Sequence, residues 1–141
     1  IHLRAALTPG GLAIAAMPAA GSLTKLRSIL QAADGDRPAA RMHPMVDVRA
    51  GAQLLQRAGF ADPVADSHSV NVRYSSLASL VHDLRDMGLS SALADHGPPF
   101  SRQTFQRAKE AFVAAADADG KLAETFEILT LSGRRPVRQA L

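Results

Sequence analysis

Five histidines, at positions 2, 43, 68, 82 and 96, come first as candidates for chemistry, because imidazole binds metals and moves protons near neutral pH. None stands three or four residues from another, so no helix face offers two of them to one ion, and no metal site is expected. His68 has Asp66 two residues away on the same face of an alternating stretch, and the pair reads as a solvated strand end rather than a catalytic couple. Asp117, Asp119 and Gly120 open like a calcium loop, but Leu122 occupies the sharp-turn glycine position and no Glu closes the loop, so they read as a turn. Arg134, Arg135 and Arg138 could meet phosphate. The chain has no Trp and one Tyr to stack on bases, so they read as a solvated basic tail over 134–141, and nucleic acid is not expected as a partner. Gly10-Gly11 precedes an apolar run, whereas a phosphate cradle follows a strand and opens a helix. The absence of cysteine excludes a thiol nucleophile, a disulfide framework and a Cys-based zinc site. No residue is assigned a catalytic role on these grounds.

The elements that must position any site come from a chain of 141 residues, 47% hydrophobic and 21% charged, which suits one globular domain or a large piece of one. A net charge of +3 gives no argument for a polyanionic partner. No apolar run approaches the ~20 residues of a membrane span, and the first segment lacks the order of a secretory signal, so a reducing cytoplasm is the expected setting. Ile1 to Leu7 reads like the last turns of a helix, and the start is read as falling in mid-fold.

Leu12 to Met17 is almost purely apolar between Gly10-Gly11 and Pro18, which predicts a strand buried on both faces as in a parallel sheet. Ser22 stands as N-cap to a helix carrying Leu23, Leu26, Leu30 and Ala33, with Lys25 opposing the dipole in its first turn. After a polar loop from Asp34 to Pro44, a helix from Asp47 carries Val48, Ala52 and Leu55 and ends at Gly59, with Phe60 folding back on Leu55. Val64 to Tyr74 alternates as a strand. Two helices follow, one with Leu77, Leu80, Val81 and Leu84 inward and a stop at Gly88, the other capped by Ser101 with Phe105, Ala108 and Phe112 inward. Asp119-Gly120 turns the chain into a last strand, Thr125 to Leu131. The fold class is therefore α/β with only three strands, a thin sheet whose apolar first strand expects neighbours on both sides.

Open α/β sheets bind ligands beyond the carboxyl ends of their strands. That rule points to the loop after Met17, with Met17, Ser22, Thr24 and Arg27 as candidates for a substrate wall. The same residues also read as a plain connector with a capping serine, and both readings stand at this level.

Leu3-Arg4-Ala5-Ala6-Leu7-Thr8-Pro9-Gly10-Gly11-Leu12 resembles the entry into the fifth strand of class I S-adenosylmethionine-dependent methyltransferases, and Leu54-Leu55-Gln56-Arg57-Ala58-Gly59-Phe60 resembles the helix and turn before their sixth. Ser22 to Arg27, Val46 to Arg49, Val72-Arg73-Tyr74, Asp83 to Gly88 and Ala123 to Ile128 are similar to the branch that holds the complex I assembly arginine hydroxylases and the malonyl-carrier-protein methyltransferases. The resemblance implies the carboxyl-terminal part of a Rossmann-like seven-stranded sheet, strands five to seven with the last antiparallel, under a helical cover. Residues 1–133 would then be a partial methyltransferase-like domain without the cofactor-binding half. It implies S-adenosylmethionine as cofactor of the complete protein only, with no cofactor-binding residue in this chain. The acceptor is a small molecule or a protein, and Tyr74, Arg85 and Met87 stand as a substrate lid beside the wall. Ala19 and Ala20 stand where the branch usually has glycines, Lys25 where it has an acid, and Arg134 where it has a Trp. Alone, the chain is expected to be inactive. A noncatalytic assembly module and a protein-arginine hydroxylase are the alternatives, with strand pairing or a homo-oligomer expected at the open sheet edge.

Overall fold

The computed structural model of the protein describes residues 1–36, 39–89 and 98–137, so His96 and Arg138 lie outside the described residues. In chain order the elements are α1 (His2–Ala6), β1 (Leu12–Pro18), α2 (Thr24–Asp34), α3 (Val48–Arg57), β2 (Ala61–Tyr74), α4 (Leu77–Asp86), α5 (Arg102–Ala115) and β3 (Leu122–Arg134). The mixed α/β class agrees with the sequence, while β2 and β3 extend beyond the stretches predicted for them. The chain divides into two units, Ile1–Ser22 with Met45–Val70 and Phe126–Leu141, and Leu23–Pro44 with Asn71–Thr125. No described helix is long and apolar enough to cross a membrane.

In the first unit the strands stand in the order β1-β3-β2, and β3 runs antiparallel to β1 from Arg134 opposite Leu12 to Ile128 opposite Pro18. Leu129 and Leu131 of β3 join Ala19 and Leu55 in a buried cluster, against which Val46, Phe60 and Ala65 pack. Helix α3 fits over this cluster because Gly51 has no side chain: a Cβ there would lie 3.0 Å from a methyl of Leu129 and 3.0 Å from one of Leu131. Its N-cap Asp47 accepts the Ala50 amide at 2.7 Å. At its other end Gly59 takes the left-handed φ of 74° that frees it from a Cβ penalty, and the Phe60 amide donates back to Leu55 O at 3.1 Å. This helix end is the one the sequence predicts.

One expectation fails in this unit. Strand β1 is not buried on both faces: among the described strands it pairs only with antiparallel β3, and Leu12 and Ile14 are exposed, the latter by 67%. The apolar run is real, but nothing among the described residues covers it. Arg134 and Arg135, expected to open the tail, bond to main-chain carbonyls, and Arg134 remains exposed. Arg134 ends β3 and donates to Gly10 O at 3.2 Å, while Arg135 donates to Ala5 O at 3.1 Å and also to Leu7 O. The guanidiniums satisfy carbonyls that the short α1 and its following turn leave over.

In the second unit α2 packs along α5, burying Leu26, Ile29 and Ala33 on one helical stripe. Helix α4 starts with a capping box between Ser76 and Ser79, buries Leu77, Leu80 and Leu84, and ends at Gly88 with φ 72° as expected. Ser101 caps α5 by accepting the Thr104 amide at 3.0 Å. Ala108 and Phe112 are buried, but Phe105 is 41% exposed and lies under the Lys109 ammonium, 4.7 Å from its ring centroid. The Phe105 position is thus a correction: it shares the face of Ala108 and Phe112 but stands in the first turn of α5, where it stays exposed. Asp119 and Gly120 form the predicted turn, Gly120 donating to Asp117 O at 2.8 Å.

The loop after α2 is tied by one bidentate ion pair. Asp34, its side chain only 3% exposed, accepts Arg41 Nε at 3.0 Å and Nη2 at 2.8 Å. Arg41 also donates to Pro98 O at 2.7 Å and covers the Phe100 ring at 4.6 Å. Hydrogen bonds from Arg41 outweigh desolvation and hold the Asp34 carboxyl below its ordinary 3.8. A carboxyl lowered in the folded state stabilises above its unfolded value and loses that contribution as pH falls through its folded one. Asp34→Asn is therefore expected to cost about 2 kcal/mol at neutral pH. In urea titrations the gap between the two proteins should close only below pH 3.8.

Candidate functional site

The seven residues singled out for a substrate site divide between the units: Met17 and Ser22 fall in the first, Thr24, Arg27, Tyr74, Arg85 and Met87 in the second. Met17 stands opposite Leu129 at the end of β1 and is partly exposed. Ser22 is 2% exposed, and its hydroxyl is spent on one residue, accepting the Glu127 amide at 2.9 Å and donating to Glu127 O at 3.1 Å. It is not the helix cap that the sequence predicts. Leu23 holds that position, in a left-handed conformation with φ 58° and ψ 36°. A leucine there costs roughly 1 to 2 kcal/mol, offset by burial of its side chain and by its amide donating to Thr125 O at 2.9 Å.

Thr24 and Arg27 are exposed in the first turn of α2, and Arg85 and Met87 are exposed at the end of α4. Among the described residues no hydrogen bond or ion pair joins the two groups. Asp66 and His68 are both exposed on β2, and no hydrogen bond joins them either.

The polar centre of the second unit is built by Glu124, to which the sequence reading gives no role, and by Tyr74, expected in a lid. Glu124, 1% exposed, aims its carboxylate at the start of α2: Oε2 accepts the Leu26 amide at 2.7 Å, and Oε1 accepts those of Lys25 at 3.4 Å and Thr125 at 3.1 Å. It fills the place of the capping acid missing at Lys25, from a strand 99 residues further on. Tyr74, also buried, donates its phenol proton to Asp83 Oδ2 at 2.6 Å.

Desolvation first, then the bond to Asp83 and the negative charges of Asp83 and Glu124, push the Tyr74 phenol far above its ordinary value. The sign follows: the bound proton stabilises the fold at every pH below the unfolded phenol value, and that contribution is lost as pH rises toward the folded one. Tyr74 is the single tyrosine of the chain, so an ultraviolet titration reads it alone. No phenolate should form near pH 10.0, the ordinary value, and its onset should coincide with unfolding seen by circular dichroism. A reversible phenolate signal at the ordinary midpoint in the folded protein would remove Tyr74 from this interior site.

Most amides of the turn after β1 are engaged within the protein. A cofactor turn between strand and helix keeps its amides free for the ligand. Here the amides of Ala19, Ala20 and Ser22 donate to Glu127 O at 2.7 Å, Val46 O at 3.0 Å and Ala19 O at 3.1 Å. Those of Lys25 and Leu26 are taken by Glu124. The strand-to-helix turn after β1 is closed by the protein itself.

No family model matches the chain. Individual proteins do. It is 30% identical over 127 residues to malonyl-[acyl-carrier protein] O-methyltransferase of Laribacter hongkongensis, covering 89% of this chain and 41% of that protein. It is 31% identical over 134 residues to the mitochondrial arginine-hydroxylase of Danio rerio, covering 92% and 42% respectively. The malonyl-[acyl-carrier protein] O-methyltransferase of Xylella fastidiosa is 26% identical over 139 residues, 98% of this chain and 46% of that protein. The chain thus spans less than half the length of the curated relatives it matches.

Proposed function

Since the chain is homologous to the methyltransferase-like branch of the malonyl-carrier-protein methyltransferases and arginine hydroxylases, we propose that it is the substrate-side portion of an S-adenosylmethionine-dependent methyltransferase-like protein. In this reading its strands are the fifth, sixth and seventh of a seven-stranded sheet, and residues 1–133 are the part of the domain that lacks the cofactor grip. The open edge of β1 carries the reading. An apolar strand with one partner among the described strands and with Leu12 and Ile14 exposed is a template for a further strand. A sheet order in which reversed β3 lies between β1 and β2 agrees with it.

The chain's own contribution is then acceptor binding and exclusion of water from a site completed elsewhere in the protein. Thr24, Arg27, Arg85 and Met87 keep exposed side chains for that role, and Met17 a partly exposed one. Ser22 and Tyr74 are buried, and each acts within its own unit as a positioning residue. The acceptor is a small molecule or a protein, and malonyl-acyl carrier protein is the first to try.

The test uses the polypeptide in which this chain accompanies a cofactor-binding half, incubated with S-adenosylmethionine and malonyl-acyl carrier protein, with the product weighed by mass spectrometry. Gain of one methyl group on the carrier is the expected result. Gain of an oxygen atom on an arginine of a protein acceptor would assign hydroxylation instead. No change in any acceptor would leave the chain as a noncatalytic assembly module, the second reading, which the closed turn after β1 favours.

A further inference from the structure

The second unit contains a cavity of about 460 Å³ that none of the seven residues above enters. Leu77 and Phe112, both buried, line it together with Ala78, Val113 and Ala116. The space exists because α4 begins and α5 ends in small side chains that leave it unfilled. Val113 stays 73% exposed beside it, an apolar group that folding leaves in water. The volume lies in the range of small-molecule sites, which are apolar with a few placed polar groups.

Two charged residues line this cavity, Asp117 and Lys109. The Asp117 carboxylate is answered by Arg73 Nη2 at 3.3 Å, which also binds Asp119 at 2.7 Å. Lys109 rests on the Phe105 ring, and no carboxylate among the described residues lies within ion-pair reach of it. Of the two, Lys109 alone has no ion-pair partner among the described residues, while Asp117 shares the Arg73 guanidinium with Asp119.

We propose that this cavity binds a small amphiphile with a single anionic head, a short-chain carboxylate, its chain over Leu77 and Phe112 and its carboxylate against Lys109. The proposal does not depend on the methyltransferase reading. A carboxylate meets the ammonium while its hydrocarbon displaces water from apolar wall, and an amine of the same length would meet the wrong charge.

Hexanoate, hexanol and hexylamine, titrated separately into the 141-residue protein, give the test through amide chemical shifts. Hexanoate is expected to move Leu77, Ala78, Val113 and Ala116 saturably, and hexylamine to bind about fivefold more weakly, as an exposed ion pair allows. Lys109→Met, on an exposed helix face, should abolish that preference without changing the circular dichroism spectrum. Ala116→Trp should fill the cavity and remove hexanoate binding. Equal affinity for hexanoate and hexylamine, an unchanged preference in Lys109→Met, or shifts that never saturate and spread over the whole surface would each overturn the proposal.

Discussion

Glu124→Ala is expected to destabilise the protein by about 3 kcal/mol, because it strips the start of α2 of its cap and leaves buried amides without a partner. The carboxylate is 1% exposed and serves three amides at once, those of Lys25, Leu26 and Thr125. Water cannot replace it without entering the core. The cost should appear as a fall of about 2 M in the urea midpoint and as faster hydrogen exchange at Lys25 and Leu26. Glu124→Gln separates capping from volume. It keeps the shape but offers one oxygen where two are used, so its NH₂ group must face an amide donor, and about half the loss should remain. If Glu124→Ala unfolded at the native midpoint, α2 would have to be held by Leu23 and its α5 contacts alone.

The second large effect sits under α3. Leu129 is wholly buried in the cluster with Ala19, Leu55 and Leu131, and Leu129→Ala should cost about 3 kcal/mol through lost burial and the cavity left behind. Gly51→Ala acts at the same place with the opposite fault, driving a Cβ to 3.0 Å from methyls of Leu129 and Leu131. Alone it should cost about 1 to 2 kcal/mol. Together the two changes should cost clearly less than their sum, because the smaller Leu129 side chain makes room for the added methyl. Strictly additive losses in a double-mutant cycle would mean that α3 moves off the sheet instead of meeting Leu129.

The local signals in the sequence were reliable where a helix end is decided by neighbours in the chain. Gly59 with Phe60, the stop at Gly88, Ser101 as cap and the Asp119-Gly120 turn each depend on residues within a turn of one another. Ser22 failed as a cap for the converse reason. The acceptor that α2 uses comes from Glu124, 98 residues from Leu26, and no spacing rule connects them. The Leu12 to Met17 run was legible as a strand, but its polarity describes a setting with neighbours on both sides, and the described strands supply one. Arg134 and Arg135 read as a free basic run because the carbonyls of a five-residue helix and of the turn after it carry no sequence signature. Tyr74 could be picked out by resemblance, yet its partner Asp83 could not, since the bond depends on how β2 and α4 meet. The cavity beside Lys109 gave no sign at all, being made of what Ala78, Ala116 and Val113 leave empty.

The proposal that this chain is the acceptor-side portion of a methyltransferase-like protein is tested most directly by calorimetric titration of the 141 residues with S-adenosylmethionine. With the turn after β1 closed by Glu127, Val46 and Glu124, no saturable heat is expected. A dissociation constant in the micromolar range would show a cofactor grip within these residues and contradict the account.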